Sequence, residues 1–446
     1  MSDFTLSWNL KLSDPEPRGL VQELSSEPEA LPSTVPAVAR DDGGWREIFR
    51  ALSHRNFRLF VAGQIISLIG TFMQTVAQSW LVYRLTQSEL LLGAAWFCTQ
   101  LPVFLLGPFG GLAADRFSRH RIVIVTQVLA MLQALTLAVL TLSGKVQIWH
   151  VLVLATAMGM INAFDMPGRQ SLLVQMTGKD DLLNAISLNS AIFNAARVIG
   201  PAVAGLAVAA AGEGVCFLIN ALSFLAVIAS LLAMRLPPVV RRTADSPWEH
   251  LKDGFRYVRR TPAIRTLLTV VAAGALSGMP ALVLMPVFAE GIFGRGSRGL
   301  GFLMGAMGIG AVVGTLVLAR RRRIAGLKDV IFYGVLTLGV SFVVFAFSPS
   351  FWLSMAVMPV IGFSVMRQNA SANTLIQTII PDEYRGRVMA LYSMTVVGIG
   401  PLGSLVAGAL AGPLGPRFTV LAGGILALGA AALYRVQARR TLSEIE

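Results

Sequence analysis

Polar side chains recur at helical spacing inside stretches of this chain that are otherwise apolar. Gln64, Ser67, Thr71, Gln74 and Gln78 follow one another at steps of 3, 4, 3 and 4, and Ser187, Ser190, Asn194, Arg197 and Pro201 repeat that spacing. Gly159, Asn162, Asp165 and Arg169 form a third set. Such steps put each set on one face of a helix. Amides and hydroxyls buried there either hydrogen-bond a solute in a water-filled path or tie neighbouring helices together. Arg197 lies 13 residues past the start of its apolar run, about 20 Å along the helix at 1.5 Å per residue. A guanidinium at that depth keeps its charge and needs a carbonyl, a carboxylate or an anionic ligand. It therefore either attracts anionic or acceptor-rich solutes or is held by a permanent structural partner. Of 24 Asp and Glu, only Asp165 sits well within an apolar run. A buried carboxylate can take up and release a proton as its surroundings change. By elimination Asp165 is the candidate coupling residue, or else Arg169, four residues on, keeps it ionised as a structural pair.

These sets need long helices in an apolar medium, and the composition supplies both. Of 446 residues 54% are hydrophobic and 14% charged, with mean hydropathy +0.66. Soluble domains carry about 25% charged residues, so a soluble enzyme, a disordered scaffold and a secreted disulfide protein are excluded. Apolar runs near 59–83, 90–113, 121–143, 149–167, 184–211 and 214–234, then 266–290, 298–319, 328–347, 351–371, 388–411 and 416–436, predict twelve membrane spans. With both ends cytoplasmic, thirty-one of the 37 Lys and Arg fall inside. Outside lie Arg84, Lys145, Arg295, Arg298 and Arg417, and Arg197 is counted within a span. That bias sets the orientation and accounts for the net charge of +13 without nucleic acid.

The expected organisation is a disordered cytoplasmic tail (1–44), a six-helix half (45–234), a cytoplasmic loop (235–265), a second six-helix half (266–436) and a short cytoplasmic tail (437–446). In the central loop Trp248, Leu251, Phe255 and Val258 oppose Lys252, Arg256, Arg259 and Arg260, the pattern of an amphipathic helix lying on the membrane surface. Cys98 and Cys216 imply no disulfide framework, and four scattered histidines form no ligand set, so neither metal nor cofactor is expected. The halves repeat. Gln175, Asp180, Asp181 and Gly200-Pro201 in the first answer to Gln377, Asp382, Glu383 and Gly400-Pro401 in the second, and Gly111 answers to Gly314. The sixth, ninth and twelfth spans are almost wholly apolar and read as lipid-facing supports. Gly301, Gly305, Gly310 and Gly314 of the eighth suit close helix packing.

Between the second and third spans, Gly111 is followed by Asp115-Arg116-Phe117-Ser118-Arg119-His120-Arg121. This resembles the loop signature of the major facilitator superfamily, with Ser118 where Gly is usual. The second half keeps Gly314 and Arg320 to Arg323 but has Leu318 in place of the acid. Three further stretches, 165–170 with Asp165-Met166-Pro167-Gly168-Arg169, 194–201 ending in Gly200-Pro201, and 381–388 with Asp382, Arg385, Gly386 and Arg387, resemble the proton-driven exporter branch that includes enterobactin exporters and macrolide efflux proteins. The resemblance implies an all-α polytopic membrane protein with twelve helices in two six-helix pseudo-repeats. Its first and fourth helices would line a central cavity, with Gln64, Thr71, Gln74, Gln78, Asn162, Asn194 and Arg197 toward the substrate. Gly111 would let helices pack closely. Together with Asp115, Arg116, Arg119, Arg121, Arg169, Asp382, Arg385 and Arg387 it would gate the cytoplasmic side. Gly200 and Pro201, with Gly205, resemble the antiporter motif associated with export; a plain Pro kink is the other reading.

The function so implied is secondary active export of a small amphiphile (a siderophore, secondary metabolite or drug) by alternating access, driven by protons, from a monomer in the inner membrane. With no carboxylate evident near the midplane, an anionic or neutral cargo fits better than a lipophilic cation. Lysophospholipid flipping is the alternative within the same fold. A membrane transferase would need a catalytic His or carboxylate pair at one interface, and none is visible. A channel lacks a filter-like pore loop, and ATP-driven transport lacks a P-loop.

Overall fold

The computed structural model describes residues 49–178, 180–236, 247–321 and 326–442. The expected tail 1–44 and part of the central loop lie outside them, as do the side chains of Trp248 and Leu251, Arg322 and Arg323, and the final residues 443–446. The described residues are helical, with no strand. The first half comprises α1 (Arg55–Thr86), α2 (Glu89–Arg116), α3 (Arg119–Leu142), α4 (Ile148–Thr177), α5 (Leu182–Ala211) and α6 (Glu213–Leu232). Next comes α7 (Pro247–Arg260). The second half comprises α8 (Pro262–Val283, continued through a π turn to Ile292), α9 (Gly296–Ala319), α10 (Leu327–Phe347), α11 (Phe351–Ile379), α12 (Asp382–Leu414) and α13 (Pro416–Thr441).

Each long helix extends past at least one end of the run read from sequence, because polar flanks continue the helix beyond the roughly 20 residues a span needs. Thus α13 reaches Thr441 rather than 436, while α3 and α6 stop at Leu142 and Leu232, short of the expected 143 and 234. Eleven helices are apolar and long enough to cross a membrane among the described residues. The remaining helix of the expected set, α11, which holds the tenth run, has 29 residues but carries Arg367, Gln368, Asn369 and Asn373, which lower its mean hydropathy. Ser88 and Ser350 cap α2 and α11 by accepting from Leu91 N and Leu353 N. Single glycines turn the chain between α5 and α6 and between α12 and α13; Gly212 and Gly415 hold φ at +81° and +84°, where a side chain would be strained.

Packing repeats the same pairs in each half: α1 with α5 and α6, α2 with α4, α3 with α4 and α6, then α8 with α12 and α13, α9 with α11, α10 with α11 and α13. Two further pairs, α2 with α12 and α5 with α9, join the halves. We call the membrane face where α1 begins and α13 ends the terminal face. The buried core that draws on both halves lies at the opposite face, with Met73, Leu81, Phe217, Phe288, Leu303 and Phe345 among its members. Toward the terminal face the core divides into separate clusters, one around Phe57 and Leu172 and another around Leu267 and Ile376. The halves are therefore closed together at the opposite face and parted at the terminal face. Helix α7 has a partner within the protein. It packs on α12, where Tyr257 stacks on Tyr384 at 4.3 Å and Asp253 meets Arg387 at 3.6 Å, while Phe255 stays exposed.

Candidate functional site

Four of the polar residues singled out in the sequence meet in one cavity. Thr71, Gln74 and Gln78 of α1 and Asn162 of α4 line about 90 Å³ between α1, α2 and α4, closed on the α2 side by Trp96 and Thr99. Sites that enclose drug-sized ligands measure about 300–1,000 Å³, so this space suits ordered water or one polar arm of a larger solute. Gln74 is already engaged: its amide donates to Gln133 Oε1 at 3.0 Å and its carbonyl accepts from Asn220 Nδ2 at 2.6 Å. Gln133 continues the chain to the Leu154 carbonyl at 3.2 Å. Hence α6 is more than a lipid-facing support, since Asn220 is fully buried at this junction. Thr71 donates to Ser67 O. Gln78 and Asn162 are half-buried and make no hydrogen bond among the described residues, so their amides remain free for a solute. Gln64 does not reach the cavity; it is buried with its carbonyl oxygen unpartnered.

The α5 set lies apart from this cavity. Asn194 donates to its own helix at Ser190 O, and Ser187 to Leu183 O. Arg197 rests on the Phe193 ring at 5.1 Å and points Nη1 at Met366 Sδ of α11 at 4.0 Å. Beside Met366, Arg367 lies over Phe363 at 5.2 Å. Each guanidinium thus sits on a ring four residues earlier, a contact of about 0.5–2 kcal/mol, and neither has a carboxylate partner among the described residues. The sequence reading grouped Arg367 with the inside loops. The apolar run 351–371 that contains it was the available signal.

Asp165 is buried and satisfied. Its Oδ1 accepts from Thr126 Oγ1 at 2.7 Å and Gln127 Nε2 at 2.9 Å, and its Oδ2 accepts from Arg169 Nε at 2.5 Å. In this conformation it has the partners of a structural ion pair, and Gln127 Oε1 beside it meets no donor.

Close approach in the α2 segment belongs to a different glycine than expected. A β-carbon at Gly110 would stand 2.0 Å from Ala163 O of α4, whereas one at Gly111 would meet nothing within 4 Å. Gly111 faces open space because the α2 face that meets α4 runs through the preceding residue; Gly110 thus matches Gly314, whose β-carbon would lie 2.9 Å from Phe363 O of α11. Gly200 approaches Phe72 of α1, while Pro201 and Gly205 meet Gly301 of α9, so the Gly-Pro motif sits where the two halves touch. On the other face of α9, Gly310 packs on Pro359 of α11.

The ion pairs of the expected gate join neighbours within a half or tie α12 to α7, and none bridges the two halves among the described residues. Asp115 faces Arg119 at 3.9 Å, Asp382 faces Arg385 at 2.6 Å, and Arg387 reaches Asp253 of α7. Arg116 and Arg121 are exposed and unpaired among the described residues. Asp181, missed by the sequence reading as an anchor, binds Arg50 and accepts from or bridges to His54 Nε2 at 2.7 Å. Those bonds, His54 first and then Arg50, hold its carboxyl below the ordinary 3.8.

Residues 47–445 match the family described as transmembrane secretion effectors. The multidrug efflux pump Tap of Mycolicibacterium fortuitum is 29% identical over 364 residues, covering 79% of this chain and 88% of that protein. The staphyloferrin A transporter of Staphylococcus aureus is 26% identical over 361 residues, covering 78% and 88%. Among solved structures, an inward-facing, occupied bacterial homolog of the human lysosomal transporter Spinster superposes with TM-score 0.68 at 16% identity, over 87% of this chain and 98% of that one. This likeness is one of fold.

Proposed function

Since the chain belongs to the transmembrane secretion effectors, transporters of the major facilitator type and not enzymes, we propose that it is a secondary active exporter of a small amphiphile. The observation that carries this reading is the cleft: the halves meet at the opposite face and part at the terminal face. We read the polar row of α5 as facing that cleft with Arg197 and Arg367, which have no acid partner among the described residues. In this reading the terminal face is cytoplasmic and the protein acts as a monomer in the inner membrane. It loads cargo from inside and releases it after the halves rock to close the terminal face. Relatives named for multidrug efflux and staphyloferrin A support a drug, siderophore or secondary metabolite as cargo.

Gln78 and Asn162 supply neutral hydrogen bonds, and Arg197 supplies charge that favours anionic or acceptor-rich solutes. Protons drive the cycle through Asp165, whose bond to Arg169 would break in one state so that the carboxyl could take a proton. The test compares metabolites retained by cells with and without the gene, under iron-poor and iron-rich growth and under antibiotic challenge. A compound trapped inside when the gene is absent, and released on return of the wild type but not of Arg197→Gln, is the expected result. No retained compound and no change in drug accumulation would overturn the reading. Uphill export by Asp165→Asn would remove Asp165 from coupling.

A further inference from the structure

A groove of about 1300 Å³ runs between α3 and α4, away from the cleft. The neighbours of α3 are α4 and α6, and the groove opens between exposed apolar side chains: Val125, Leu129 and Leu132 of α3 and Met160 of α4. The polar residues along its helical walls, Thr126, Gln133 and Thr136, are turned to other partners. Thr126 donates to Asp165, Gln133 to Leu154 O, and Thr136 to Leu132 O. What the groove offers a ligand along its length is therefore hydrocarbon.

The terminal-face end is different. Arg116, Arg121 and Arg235 line it, and none of the three guanidiniums has an acid partner among the described residues. His120 is there too, tied to Leu231 O at 2.8 Å. The acid present, Asp115, faces Arg119 instead. From Arg121 to Thr136 the groove follows α3 for about 22 Å at 1.5 Å per residue. One leaflet is half of a hydrocarbon core about 30 Å thick, so the groove is long enough for a whole acyl chain beneath its headgroup.

We propose that this groove seats one anionic glycerophospholipid from the leaflet at the terminal face. Its phosphate lies among Arg116, Arg121 and Arg235, and one acyl chain runs along Leu129, Leu132 and Met160. A zwitterionic headgroup would bring its own ammonium against three unpaired cations, so the site selects net negative charge. The transported solute is a poorer occupant, because α4 is packed against α2 through Gly110–Ala163 and Gly159–Thr99, which separates groove from cleft.

The test reconstitutes the full chain in nanodiscs of equimolar phosphatidylglycerol and phosphatidylcholine, then measures lipids retained on release into detergent by native mass spectrometry. One phosphatidylglycerol per chain, preferred at least tenfold over phosphatidylcholine, is expected. The exposed-residue variant Arg121→Gln/Arg235→Gln should lose that preference tenfold or more. Ala157→Trp, which fills the groove wall without touching a charge, should lower retention of both lipids. Equal retention of the two lipids by the wild type would overturn the assignment. So would unchanged phosphatidylglycerol retention in either variant.

Discussion

Adding one methyl group to α5 at Gly205 should change which face of the protein is open. A β-carbon there would stand 2.7 Å from Ser297 O and 2.8 Å from Gly301 Cα of α9, against an ordinary contact distance beginning at 3.4 Å. Both clashing atoms are backbone, so no side chain can rotate away and the helices must separate by about 0.6 Å. Overpacking of this kind costs about 1–3 kcal/mol. That cost falls on the conformation in which the opposite face is closed and vanishes where the halves part. The helix-propensity gain of Ala over Gly is the same in both states and cancels. The occupancy ratio should therefore move about 5- to 150-fold toward opening at the opposite face. A cysteine placed by Val287→Cys, which is 5% exposed in the closed core, reports the change in a Cys98→Ala/Cys216→Ala background. Its labelling by an impermeant maleimide added at the opposite face should accelerate by a comparable factor with Gly205→Ala. It should not change with Gly412→Ala, whose β-carbon meets nothing within 4 Å. An unchanged rate in folded Gly205→Ala protein would refute the view that this glycine contact holds the opposite face shut.

Two further outcomes are expected. Gly110→Val should abolish or strongly reduce folded yield while Gly111→Val is tolerated, measured by size-exclusion profile and transport; the reverse order would contradict the α2–α4 packing. Asp181 is held below 3.8 by His54 and Arg50. A depressed folded value means that its stabilisation is present above 3.8 and lost as pH falls through the lower value, so between about pH 5 and pH 3 the melting temperature should fall less steeply for Asp181→Asn than for the wild type.

Most of the membrane architecture could be read in advance because a long apolar run has few alternatives in a bilayer, and the two halves carry matching landmarks at near-constant separation. The face shared by Thr71, Gln74 and Gln78 was also legible from spacing, and Asn162 joins it because α4 packs beside α1. What spacing could not tell was which polar group is already taken. Gln74 is engaged by Gln133 and Asn220, which lie on helices distant in sequence, and Asp165 by Thr126 and Gln127 from α3. The choice between Gly110 and Gly111 is likewise invisible, since adjacent residues differ by about 100° around a helix and only the position of α4 decides between them. Arg367 was lost by assigning a charge to a loop when its own helix continued through it.

The distribution of directional bonds has a mechanical meaning. Within the first half, Gln74, Gln133, Asn220 and Asp165 lace α1, α3, α4 and α6 together, and within the second Gln368 to Val270 O, Thr337 to Ser364 and Tyr392 to Asn369 O lace α8, α10, α11 and α12. Across the boundary the polar contacts described are the weak Ser297–Gly205 bond at 3.3 Å and the Arg197–Met366 approach; the rest is close glycine backbone and the apolar side chains of the shared core. Dispersion contacts of about 0.1–0.2 kcal/mol per atom pair fade gradually with distance and re-form at a new register, whereas a buried hydrogen bond that is broken leaves two unmet groups at about 1–3 kcal/mol each. The molecule thus has a cleavage plane, like that of a layered crystal. Load on the laced helices is resisted by directional bonds, so slip falls to the helix pairs held by backbone approach and apolar packing, α2–α12 and α5–α9 between the halves, without a dedicated hinge residue.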